Sequence, residues 1–107
     1  MGVAGVGERG FIEMRRAARV DANQARIVQA LRKAGVAVTP LHMVGRGVAD
    51  LLCSYRKLWF VMEVKDGDKP PSARKLTKDE AEWIGEQKAP VYIVTSPQEA
   101  LGFLRYS

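Results

Sequence analysis

The apolar positions of this chain change their period several times, and each change marks an element. Ile27, Val28 and Leu31 recur at three- and four-residue spacing, the signature of one helix face. Asp21 stands ahead of them as an N-cap, with Gln24 three residues on at capping-box spacing, and Gly35 supplies the stop. A helix over 21–34 is predicted. Residues 36–43 read as a strand bent at Pro40, followed by the flexible turn Val44-Gly45-Arg46-Gly47. Two denser apolar runs, 49–55 and 58–65, predict strands joined by a tight polar turn at Arg56-Lys57. In 66–76, Gly67 and the Pro70-Pro71 pair forbid regular structure. Thr77 and Glu80 form a second capping box ahead of a helix over 78–87. Pro90 to Thr95 is a strand rich in β-branched residues, and Ser96 with Pro97 opens a last helix, the proline at its permitted first position.

The order is therefore α-β-β-β-α-β-α. The middle strands are apolar on both faces, which predicts a sheet flanked by helices and places the chain in the α/β class. A length of 107 residues suits one domain. Residues 1–10 are glycine-rich and 11–19 could form a short basic helix, so 1–19 is expected to be a basic, partly disordered arm and 20–107 the domain. A domain of this size buries a modest core, and dimerisation is a common source of extra stability.

Charge adds a partner to the picture. The net charge is +5, with a pI near 9.7, which points to a polyanion. One basic group lies in the first third (Arg9, Arg15, Arg16, Arg19, Arg26, Arg32, Lys33) and another at Lys65, Lys69, Arg74, Lys75 and Lys78. Cys53 is the only cysteine, so no intrachain disulfide and no cysteine-built metal site is possible; inside an apolar run it is expected to be a buried, inert thiol. No stretch is apolar enough to span a membrane, and Glu8, Arg9 and Glu13 stand where a signal peptide needs an apolar core, so a cytoplasmic protein is expected.

Three charges are out of place. Asp50, Glu63 and Lys65 interrupt the two most apolar runs, where an unpaired charge costs several kcal/mol. If the hairpin is centred on Arg56-Lys57, paired positions sum to 113 and Asp50 lies opposite Glu63. Facing residues on one side of a sheet have Cβ atoms roughly 5 Å apart. Two carboxylates there repel, and a divalent cation between them removes the repulsion. Lys65 shares their face, while Val64 points to the other. An odd loop length would spoil the pairing, and Arg-Lys is not a favoured two-residue turn. Two hard carboxylates with open positions suit Mg²⁺ or Mn²⁺, which lowers the pKa of bound water and polarises a phosphodiester. A neighbouring lysine can stabilise charge on the phosphate. The alternative is an Asp50/Glu63–Lys65 salt-bridge cluster without metal.

Residues 47–67, GVADLLCSYRKLWFVMEVKDG, resemble the G-x-PD…ExK core of the PD-(D/E)XK nucleases. With LRKAG before this core, and KPPSARKLTKDEAEW and VYIVTSPQEAL after it, residues 20–104 resemble the stand-alone VRR-NUC proteins of phages and bacteria. The resemblance implies a restriction-endonuclease-like αβββαβ core with a mixed sheet. It implies Asp50 and Glu63 as metal-binding carboxylates, Val64 as a backbone ligand and Lys65 as the catalytic lysine. A glutamate frequent on the family's first helix is matched by Gln24, which also lies on the inward stripe of that helix and could equally serve as the partner of Asp21. A position often held by glutamine is matched by Glu80, which the capping box already explains. The proline of the PD motif is Ala49 here.

Around this core, Arg46, Ser72, Arg74 and Lys75 are candidate phosphate contacts. His42 is better explained as solvated or structural, and Trp59 and Trp83 as core or dimer-interface residues. The resulting expectation is a Mg²⁺- or Mn²⁺-dependent DNA endonuclease, homodimeric like the Holliday-junction resolvases that the family resembles, cutting branched DNA by shape. The rivals are a catalytically silent nucleic-acid-binding module of a phage or bacterial assembly, and an interaction domain in which the charged trio is only a salt bridge.

Overall fold

The computed structural model describes residues 22–106. The expected arm over 1–19, its short helix and the Asp21 cap lie outside the described residues. Helix α1 runs Ala22–Lys33, and strands β1, β2 and β3 run Ala37–Pro40, Leu51–Tyr55 and Leu58–Val64. Helix α2 follows at Lys78–Glu86, then β4 at Val91–Val94 and α3 at Pro97–Gly102. The predicted order holds. One three-residue 3-10 turn, Pro71–Ala73, falls in the segment expected to be irregular, and another turn of this kind closes the described chain at Phe103–Tyr106.

Local chemistry explains the ends. Gly35 takes φ +95°, a conformation closed to most side chains, and ends α1. Val36 N–H then donates to the Leu31 carbonyl and Gly35 N–H to the Arg32 carbonyl, the Schellman pattern. Its hydrophobic partners, Leu31 and Val36, are both buried. At α2 the capping box is complete: Thr77 Oγ1 accepts from Glu80 N–H, and Glu80 Oε1 accepts from Thr77 N–H. Strand β1 is shorter than expected. It ends at Pro40, whose ring nitrogen has no N–H to give to the ladder, although Leu41 N–H still reaches the Asp50 carbonyl at 2.7 Å.

The four strands lie in the order β1-β2-β3-β4, antiparallel except for the parallel β3–β4 pair, whose crossover is α2. The β2–β3 register runs from Tyr55↔Leu58 to Leu51↔Met62, so paired positions do sum to 113. The turn between them has two residues with positive φ, Arg56 at 52° and Lys57 at 69°. That is the primed-turn geometry that matches strand twist, adopted here without glycine or asparagine.

One face of the sheet carries Val38, Leu51, Cys53, Met62, Val64 and Val94, all buried against Ile27 and Leu31 of α1 and Ala100 of α3. Cys53 is fully enclosed, and burial pushes its thiol up to about 11, in keeping with an inert core residue. The other face is less covered than the sequence predicts. Helix α2 stands beside it and buries none of its residues, while Trp59 is 73% and Ile93 42% exposed. No helix among the described residues is long and apolar enough to cross a membrane.

Candidate active site

Asp50 sits at the mouth of β2, just past the last paired residue, and Glu63 at the end of β3. The register carries the two to opposing positions. Asp50 Oδ2 accepts a 2.8 Å hydrogen bond from Val64 N–H, which fixes the aspartate across the strand end. Glu63 is 1% exposed. Its Oε2 lies 3.5 Å from Lys65 Nζ, whereas its buried Oε1 has no donor among the described residues. Val64 turns its side chain into the core, as period-two alternation requires.

Two further elements complete the cluster. Lys65 Nζ donates to Glu80 Oε1 at 2.6 Å, and that same oxygen caps Thr77. The first turn of α2 is thereby tied to the end of β3. Gly47 makes that approach possible. Its φ is +80°, and a Cβ there would stand 2.2 Å from the Asp79 carbonyl oxygen. From the opposite side, Asn23 of α1 donates through Nδ2 to the carbonyls of Lys65 (2.9 Å) and Thr95 (3.2 Å), clamping the ends of β3 and β4. Gln24, next to it, is buried as its inward stripe predicts.

The electrostatics follow from crowding negative charge in a dry place. Burial, then the charges of Asp50 and Glu80, push the Glu63 carboxyl up to about 8. Burial also raises Asp50, against the pull of the Val64 N–H. Burial opposes the charge on Lys65, but the Glu80 hydrogen bond and the charges of Glu80 and Glu63 outweigh it and raise its pKa. Glu80 is lowered: burial works against this, and the hydrogen bonds from Lys65 and Thr77 prevail.

This donor set fits a hard divalent cation. It offers two facing carboxylates, and one buried oxygen, Glu63 Oε1, has no hydrogen-bond partner among the described residues. Among the described residues no group of three or more His, Cys, Asp and Glu side chains is arranged to hold a metal ion. An ion here would therefore rely on Asp50 and Glu63 plus backbone or water oxygens.

The remaining candidates are more dispersed. Ser72, in the short turn after β3, and Lys75 are exposed, whereas Arg74 is half-buried, its enclosed Nε without a hydrogen-bond partner among the described residues. Arg46, at φ 58°, lines a cavity of about 240 Å³ with Asp79, Glu82, Trp83 and Glu86, so it faces an acidic helix surface. His42 is half-buried, with an unpartnered Nδ1. Sequence reasoning matched Glu80 to a position of the family but explained it by its capping role, and passed over Asn23. The signal for Asn23 was available: it lies four residues before Ile27 and eight before Leu31, on the buried stripe.

No family model matches the chain, and no curated protein matches it. A solved structure described as "VRR_NUC domain" is similar, with a TM-score of 0.55 and 25% identity, over 80% of this chain and 98% of that one. The chain has a VRR-NUC nuclease-like fold. The resemblance of 47–67 is thus matched over 80% of the chain, and the α/β class, with a mixed four-stranded sheet and three helices among the described residues, is consistent with a restriction-endonuclease-like fold. The likeness points to a nuclease domain, with nucleic acid as its partner.

Proposed function

We propose that this protein is a Mg²⁺- or Mn²⁺-dependent DNA endonuclease with Asp50, Glu63 and Lys65 as its catalytic core, acting on branched DNA as a homodimer. The observation that carries the reading is the facing pair Asp50 and Glu63 with a buried, unsatisfied carboxylate oxygen beside Lys65.

Asp50 and Glu63, with the Val64 carbonyl, would hold the ion. When bound, it supplies an acidified water and a Lewis acid for the phosphodiester. The other work belongs to the protein. The Val64 N–H keeps Asp50 aimed across the strand end. Glu80 holds the Lys65 ammonium at the rim, where it counters negative charge as it grows on the phosphate. Asn23 fixes the main chain of Lys65, so that the lysine is oriented before substrate arrives. Gln24 sits on the same turn as a neutral member of the site. Ser72, Arg74 and Lys75 lie on the segment leaving β3 and would meet the DNA backbone; Arg46 would do so from a cavity that it shares with the α2 carboxylates. One centre cuts one strand, so paired incisions in a junction call for two copies.

The test is cleavage of labelled four-way-junction, flap, single-stranded and duplex DNA with Mg²⁺, Mn²⁺ or EDTA, comparing wild type with Lys65→Ala and Asp50→Ala. Metal-dependent cutting lost in both variants is expected, with the junction the preferred substrate. Bound but uncut DNA, with folded protein in Mn²⁺, would instead identify a silent binding module.

A further inference from the structure

We infer that the exposed face of α1, from Arg26 to Lys33, together with Pro97 at the start of α3, is a phosphate-backbone track that carries duplex DNA away from the catalytic centre. The inference rests on the nuclease reading of that centre.

The track is a groove of about 330 Å³ lined by Arg26, Gln29, Ala30, Lys33 and Pro97. Among the described residues its lining holds two cations and no carboxylate, and α1 over Ala22–Lys33 carries no acidic residue. Arg26, Gln29 and Lys33 are all exposed. Arg32 is not part of the track, because its guanidinium is turned to the Val38 carbonyl at 3.0 Å. Glu99, the nearest acid on α3, has Oε1 committed to the Thr95 N–H and hydroxyl.

The groove also joins the centre. Arg26 lies 3.5 Å from Asn23 Oδ1, and the Asn23 amide holds the Lys65 and Thr95 carbonyls. Pro97 is two residues beyond Thr95. Arg26 and Lys33 stand seven helical steps apart, a rise of about 10.5 Å. That spans roughly three phosphates of one strand, at about 3.4 Å of axial rise each.

Charge on the far side reinforces the direction. The outer face of α2 presents Asp79, Glu82 and Glu86, with Arg46 the one cation lining that cavity among the described residues. A duplex laid over α2 would meet three carboxylates, whereas one laid over α1 meets two exposed cations and a neutral amide. Phosphate contacts of this kind position DNA without reading its sequence.

The experiment is fluorescence anisotropy of a labelled DNA duplex in EDTA, titrated with the full chain across a range of salt. Each phosphate contact contributes about 0.9 to the slope of log K against log salt. The variant Arg26→Ala/Lys33→Ala should therefore flatten the slope by about 1.8. A fourfold rise in salt would then cost the wild type roughly twelvefold more affinity than the variant. Glu82→Gln/Glu86→Gln should leave the slope unchanged. Circular dichroism checks folding, with Arg26→Gln/Lys33→Gln in reserve. A folded variant with the wild-type slope overturns the track, as does a slope lost equally in the α2 variant. Wild-type protein that binds no DNA at any salt overturns the nuclease reading as well, so the two failures are distinguishable.

Discussion

Glu63 shows how one residue can set the pH response of the molecule. Its carboxyl titrates at about 8 in the fold, against 4.5 ordinarily. Between these values the folded state keeps a proton that the unfolded chain has released, so stability falls as pH rises through that window. Below the lower value both states are protonated and the penalty is absent; above the upper one it is fully expressed. Asp50, also raised, acts in the same direction. The metal-free protein should lose a few kcal/mol between pH ~5 and ~8, read as a falling Tm by circular dichroism. Glu63→Gln should flatten that dependence and raise the Tm near pH 8 while abolishing cleavage, and Mn²⁺ should restore the wild-type Tm. A pH-independent Tm without metal would contradict this account of the pair. Asp50, Glu63 and Lys65 were legible in the sequence because charge inside an apolar strand demands compensation. The bond from Lys65 to Glu80 was masked by the capping box, which already accounted for Glu80, although one oxygen serves both Thr77 and Lys65.

At the scale of elements, what the sequence made legible was what has a period. The β2–β3 register followed from the hydrophobic runs, even though the turn that sets it is unfavourable. Arg56 and Lys57 both occupy left-handed backbone, at roughly 1 kcal/mol or more each. Arg56→Asn/Lys57→Gly should therefore stabilise the protein by about 1–2 kcal/mol, measured as a higher urea midpoint at unchanged m-value. Equal or lower stability would mean that the Arg56 guanidinium, 5.1 Å from the Tyr55 ring, offsets the strain. The loop ahead of β2 was read only as a flexible turn. Nothing local reveals that Gly47 lies against the Asp79 carbonyl, because that contact joins residues more than thirty positions apart. Gly47→Ala should cost about 2 kcal/mol or more through left-handed strain and a backbone clash. Since that contact seats α2, it should also lower kcat more than its effect on folding explains, in cleavage assays run well below the Tm.

For the whole molecule, the sequence predicts helices on both sides of the sheet, and the structure covers one side well and the other poorly. Apolar strands state that a face seeks cover; they do not state what provides it. Leu52, Val61, Val91 and Ile93 stand on the open face with Trp59, and Pro90 adjoins two apolar hollows there. A tryptophan 73% exposed on a sheet of this kind is the pattern of a surface used for contact. The homodimer proposed for junction cleavage would find its apolar contact on this face. Sedimentation velocity should then give a dimer for the wild type and a monomer for Trp59→Glu, with circular dichroism unchanged because Trp59 lies outside the core. The monomer should still nick one strand of a junction but lose coordinated cutting of two, since Asp50, Glu63 and Lys65 all come from one chain. A variant that stays dimeric would move the interface elsewhere. A monomeric wild type that makes paired cuts would remove the need for a dimer altogether.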